Sequence, residues 1–168
     1  LLISTVHAEV VTREYTNDLN TPAWTSTRTA MACHLSQKIP LYGEMIFSHR
    51  ADDKILGNIW VFNPPERDGY ARLYSIPPEW KSFKPSLDLG RVAFMPHQRP
   101  FAFNHQMARR LMKELELGNW PTIYYEDWQD SLDDIKVAIS PVGFRKVMKE
   151  HQACIASLDP IDYDAMTT

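Results

Sequence analysis

A mainly β domain, an antiparallel barrel or sandwich carrying two appended helices, is the fold this sequence predicts. Three observations carry that expectation: short runs alternate apolar and polar residues, turn clusters rich in proline and aspartate separate them, and just two segments show helical periodicity. The chain has 168 residues, 44% hydrophobic and 11% aromatic. That is enough for one domain with a substantial core.

Residues 9–20 are mostly polar and read as weakly ordered chain or a single edge strand. Residues 24–35 alternate, with Thr25, Thr27, Thr29, Met31, Cys33 and Leu35 on one side, and read as one strand broken at Pro40. Residues 42–48 (YGEMIFS) form a second strand. After the turn cluster Ala51-Asp52-Asp53, residues 55–62 (ILGNIWVF) form a largely buried third. An emphatic loop at 63–69 follows. Residues 70–76 (YARLYSI) alternate again as far as Pro77-Pro78, and residues 87–95 (LDLGRVAFM) run to Pro96.

The first helix has Asn104 as its N-cap and an apolar stripe of Met107, Leu111, Met112 and Leu115, with Gly118 as its left-handed stop. Residues 122–128 (TIYYEDW) and 134–139 (DIKVAI) then make a hairpin around a polar turn. The second helix is expected to start at Ser140 as N-cap, with Pro141 in its first turn. Phe144, Val147, Met148, Cys154 and Ile155 lie on its apolar side. The expected total is seven strands and two helices.

Composition narrows function. Eighteen Lys and Arg are dispersed along the sequence among twenty-one acids, for a net charge of −3 and a pI near 6.1, so no nucleic-acid partner is expected. Six glycines, with no GxGxxG or GxxxxGK, leave no phosphate-cradling loop. GxSxG, HExxH and EF-hand patterns are absent as well. His7, His34, His49, His97, His105 and His151 never fall at metal-ligand spacing within one element, although His97 and His105 could converge in space. Glu126, Asp127, Asp130, Asp133 and Asp134 are the densest carboxylates. They surround a hairpin tip, where solvent and local hydrogen bonds account for aspartate. No catalytic residue, metal or cofactor is therefore expected.

Aromatics are the more informative signal. Trp60, Phe62, Tyr70, Tyr74, Trp80, Trp120, Tyr124, Tyr125 and Trp128 cluster in or beside strands, and most belong to the core. On an alternating strand Tyr124 and Tyr125 must face opposite sides, leaving one available to a partner. Trp120, Tyr124, Glu126, Asp127, Trp128 and Asp130 are the candidate interface.

Residues 1–8 (LLISTVHA) read as the tail of a signal peptide, with Val6 and Ala8 at the −3 and −1 positions and Glu9 opening the mature chain. An N-terminal strand over 3–11 is the alternative. No later apolar run approaches the ~20 residues of a membrane span. Cys33 and Cys154 stand 121 positions apart, which excludes CxxC chemistry and a cysteine-rich zinc site. They are either one structural bridge or two buried thiols, and export favours the bridge.

Longer stretches carry a family resemblance. Cys33-His34-Leu35, the run Ile39-Pro40-Leu41-Tyr42-Gly43-Glu44-Met45-Ile46-Phe47-Ser48-His49-Arg50-Ala51, and Ser75-Ile76-Pro77-Pro78-Glu79-Trp80 resemble the MotY N-terminal domain family. So do residues 115–128 (LELGNWPTIYYEDW), residues 135–140 (IKVAIS) and Cys154-Ile155. The likeness is colinear over most of residues 24–158. It implies a periplasmic β-barrel-like domain over residues 9–158, with Cys33 and Cys154 disulfide-bonded. It also implies docking to the flagellar basal body with a MotX-like partner, in the T ring that helps hold stator units around the rotor. Family members continue into an OmpA-like peptidoglycan-binding domain, and residues 159–168 are expected to begin that connection or a C-terminal tail. Peptidoglycan contact would belong to such a further domain. A stand-alone binding or sensor module of another envelope complex is the alternative role.

Overall fold

The computed structural model describes residue 3 and residues 11–64, 67–81, 83–95, 101–126 and 133–160. The residues on which the leader expectation falls, 1–2 and 4–10, lie outside that set, as do the hairpin tip at 127–132 and the tail from 161 onward.

Ten strands are present among the described residues. They are β1 (Thr12–Tyr15), β2 (Trp24–Arg28), β3 (Ala32–Ile39), β4 (Gly43–Arg50), β5 (Ile55–Val61), β6 (Gly69–Ile76), β7 (Leu87–Phe94), β8 (Phe101–Phe103), β9 (Trp120–Glu126) and β10 (Asp134–Ala138). Two helices, α1 (His105–Glu116) and α2 (Phe144–Ala156), and one short 3₁₀ turn at Glu79–Lys81 complete the elements among the described residues. The strands form a single sheet ordered β1-β10-β9-β6-β7-β8-β5-β4-β3-β2. Every pairing is antiparallel except β1 with β10, which is parallel.

The sheet curls until its two ends communicate. Tyr42, beside β4, and Tyr125, on β9, are far apart in strand order, yet their hydroxyls lie 2.8 Å apart. Tyr15 on β1 packs its ring 5.1 Å from that of Tyr42. Burial raises the Tyr42 pKa well above the ordinary phenol value, and the Tyr125 hydroxyl beside it adds to the effect. The apolar core lies inside this half-barrel, built on Leu35, Met45, Phe47, Ile59, Leu73, Phe94, Phe101 and Ile123, with Leu111 and Leu115 of α1 and Phe144 of α2 packed against it.

The seam between the ends is polar. Gln37 of β3 donates from Nε2 to the Ser140 carbonyl at 2.8 Å, and the Ser140 N–H donates back to Gln37 Oε1 at 2.9 Å. Trp24 Nε1 donates to the same carbonyl at 2.6 Å, and Asn17 Nδ2 to Gln37 Oε1 at 2.9 Å. Gln37 and Ser140 are both fully buried.

Three details correct the sequence-based expectation. Residues 24–35 are not one strand but the hairpin β2–β3, closed by the Thr29 N–H bonding the Ala32 carbonyl at 2.9 Å. Its register pairs Thr27 with His34 and Thr25 with Ser36, so even and odd positions exchange faces across the turn. Thr25 and Thr27 are therefore exposed while Cys33 and Leu35 are buried. Strand β8 was missed because three residues are too short to display alternation.

Ser140 does not cap α2. Its carbonyl is already engaged by Gln37 and Trp24, so the chain remains strand-like there and turns through Pro141. Gly143, at φ 80°, is the residue that precedes the first helical turn. Helix α1 follows expectation, with Asn104 Oδ1 accepting from the Met107 N–H at 2.9 Å and Gly118 at φ 83°.

The cysteines form a disulfide. Cys33 and Cys154 are bonded, with Cα atoms 6.1 Å apart, fastening α2 to β3. Arg28 of β2 supports the same junction from outside, donating to Ser157 Oγ and to the Ser157 carbonyl at the end of α2. Among the described residues no helix is long and apolar enough to cross a membrane.

Candidate functional site

Alternation along β9 sorts the predicted residues. Ile123 and Tyr125 point into the core, where Tyr125 packs against Phe94 and Phe101. Trp120, Tyr124 and Glu126 share the opposite, outer face. Asp127, Trp128 and Asp130 lie outside the described residues. Asp133, at the near end of the hairpin, pairs with Arg13 at 3.0 Å.

Pairing across the sheet places Tyr124 at the middle of a five-strand row. Arg91 faces Arg72, Arg72 faces Tyr124, Tyr124 faces Lys136, and Lys136 faces Glu14. Lys136 Nζ is 5.8 Å from the centre of the Tyr124 ring and 3.5 Å from Glu14 Oε1. Tyr74 meets Tyr124 edge-on with ring centres 5.6 Å apart, and Arg91 lies 5.4 Å over Tyr70. Cation–π and ion-pair contacts of this kind hold long side chains flat against the sheet.

Two recesses border the row. One, of about 340 Å³, is lined by Trp120, Trp80, Pro77 and Pro78 together with Glu14, Asn17 and Lys136. The other, of about 450 Å³, lies among Arg72, Tyr74, Ile76, Ser86 and Tyr124. Trp80 is 74% exposed, an uncommon exposure for so large an apolar surface. Sequence reasoning found Trp120, Tyr124 and Trp80 as aromatics. It missed Arg72, Arg91, Lys136 and Glu14, because nothing local reveals which residues stand opposite one another on separate strands. Tyrosine, tryptophan and arginine on a shallow face suit a protein contact. Nothing in the row pairs a nucleophile with a base.

A second cluster also escaped the sequence. The rings of His49 and His151 stand 5.7 Å apart, close to the disulfide, since His49 is the cross-strand partner of Cys33 and His151 lies one helical turn before Cys154. His49 Nε2 contacts Asp53 Oδ1 at 2.8 Å. His151 is fully buried, and neither ring nitrogen has a hydrogen-bond partner among the described residues. Burial, then the neighbouring His49 and His34, lowers its pKa to about 4. The convergence considered for His97 and His105 involves His97, outside the described residues. No group of three or more His, Cys, Asp or Glu suited to a metal ion occurs among the described residues.

Comparison with known proteins identifies relatives of the chain. A curated relative, "Sodium-type flagellar protein MotY" of Vibrio parahaemolyticus, is 32% identical over 134 residues, which is 77% of this chain. The chain spans 45% of that relative's length. The model of the MotY N-terminal domain matches residues 15–160, from the last residue of β1 to just beyond α2. With that match covering nearly all of the described sheet, both helices and both cysteines, the chain belongs to the MotY N-terminal domain family.

Proposed function

We propose that the chain is a non-catalytic docking module of a sodium-type flagellar motor, working in the periplasm. The observation that supports this best is the row Arg91-Arg72-Tyr124-Lys136-Glu14 on the outer face, flanked by Trp80 and Trp120, in a member of this family. A half-barrel stapled by a disulfide suits an oxidising compartment and presents that row on a rigid surface. Its partners are a MotX-like protein and a ring of the basal body, and the contact helps place stator units. Peptidoglycan binding is assigned to the part of such proteins that lies beyond the matched length.

Affinity capture from envelopes of flagellated cells tests the reading. The wild-type chain should retain ring proteins and a MotX-like partner, and Tyr124→Asp combined with Lys136→Glu should retain neither. Capture of unrelated envelope proteins instead would support the role of a module in another complex.

A further inference from the structure

The groove between the two helices lies away from the row just described and has a different chemistry. Its main part, about 870 Å³, has Ile55, Met112, Met148 and Ile155 on its apolar lining, and Leu117 at the edge is 51% exposed. Arg109, Arg110 and Lys113 of α1 line the same space, and a contiguous recess of about 400 Å³ adds Arg145 and Lys149 of α2. None of these five cations makes an ion pair with another described residue; Arg145 donates only to the Glu116 carbonyl, at 2.7 Å.

The carboxylates around the groove are less free. Asp53 is exposed but held by His49, Glu114 is buried and accepts from Asn119 Nδ2 at 2.8 Å, and Glu116 is exposed. A chain of net charge −3 thus concentrates unpaired positive charge along one apolar cleft. His151, fully buried and without a hydrogen-bond partner for either nitrogen among the described residues, also lines it.

We propose that this groove takes an acidic amphipathic segment of a partner protein, whose apolar side chains lie against Met112 and Met148 while its carboxylates meet the arginine and lysine rim. Two packed helices offering an apolar cleft between charged walls form a site for a third helix. The positive rim selects the sign of the partner and speeds the encounter. A concave site is better matched by an inserted segment than by a flat anionic bilayer. The inference rests on the reading of the chain as a docking module and adds the chemistry of one partner.

The probe is a synthetic helical peptide of about 18 residues with leucines on one face and glutamates flanking them. It is titrated into the oxidised chain at low salt while backbone amide shifts are followed. Shifts should centre on Met112, Leu117 and Met148. Affinity should fall about tenfold or more in Arg110→Glu with Lys149→Glu. A peptide with lysine in place of glutamate should recover binding to that variant, which also shows that the variant is folded. Equal affinity for wild type and variant overturns the proposal. So do shifts centred on Tyr124, binding to phosphatidylglycerol vesicles in preference to the peptide, or self-association of the chain that excludes the peptide. Tyr124→Asp with Lys136→Glu should still bind the peptide. If that variant also still reaches the basal body, the outer-face reading fails while the groove result stands.

Discussion

The side chain of Gln37 and the backbone of Ser140 exchange two hydrogen bonds, at 2.8 and 2.9 Å, across the seam of the half-barrel. A primary amide carries a donor and an acceptor side by side, as a peptide group does along a strand edge. Gln37 therefore pairs with Ser140 as a further strand would, where the sheet lacks one. The partners are 103 positions apart in sequence, and both are buried.

Removing that pairing should destabilise the fold without emptying the space. Gln37→Met keeps most of the volume but leaves the buried Ser140 N–H without its acceptor and Asn17 Nδ2 without one of its two. The expected cost is about 2–3 kcal/mol, mostly from the orphaned amide. Denaturant unfolding should show a lower midpoint with an unchanged slope, because the surface exposed on unfolding is the same.

The disulfide acts at the same seam by another mechanism. Closing a loop of 121 positions restricts the unfolded chain by about 5 kcal/mol in the chain-entropy account, and native-state strain or residual structure reduces the figure. Cys33→Ser with Cys154→Ser should lower the midpoint of thermal unfolding by well over ten degrees, at about 3 °C or more per kcal/mol. Reduction of the wild-type chain should reproduce the loss. Equal melting of reduced and oxidised chains would show that α2 is held by packing alone.

Acid should weaken the molecule through His151. Its folded pKa is lowered to about 4 from the ordinary 6.5, so the neutral ring is the form the fold accommodates. Above pH 6.5 both folded and unfolded states are neutral at this position, and its contribution is fully present. As pH falls from 6.5 toward 4 the unfolded chain takes up a proton that the folded chain refuses, and stability on the order of 3 kcal/mol is lost. Burial acts most strongly against the charged ring, and the neighbouring His49 and His34 add to it, while the carboxylates of the same groove, Asp53, Glu114 and Glu116, do not reverse that balance. Urea midpoints measured across that range should fall more steeply for wild type than for His151→Leu. Parallel slopes would remove the histidine from the account.

The features legible in the sequence were local. Asn104 and Gly118 mark the ends of α1 because capping is decided by adjacent backbone groups, and the opposite directions of Tyr124 and Tyr125 follow from strand geometry alone. Features set by distant partners were not legible. Ser140 has the sequence of an N-cap, but Gln37 and Trp24 occupy its carbonyl, and only the curl of the sheet brings them there. The β2–β3 turn was hidden because an odd register swaps faces while a period of two continues through it. On the proposed docking face, Tyr124 and Trp120 stand out by residue type alone. Arg72 meets Tyr124 through pairing between distant strands, and Lys136 meets it through a register within the β9–β10 hairpin that the residue types alone do not specify. The pairing of the cysteines was anticipated through family likeness, since spacing alone allowed two free thiols as readily.

Photo-crosslinking within intact envelopes puts the docking claim to its most direct test. A photoreactive residue at position 124 should yield a covalent adduct with a basal-body ring protein or a MotX-like partner. The same group at Tyr125, which is half-buried and packs inward against Phe94 and Phe101, should yield none. Adducts absent from position 124 in cells with assembled motors, or directed there to proteins outside the motor, would contradict the account.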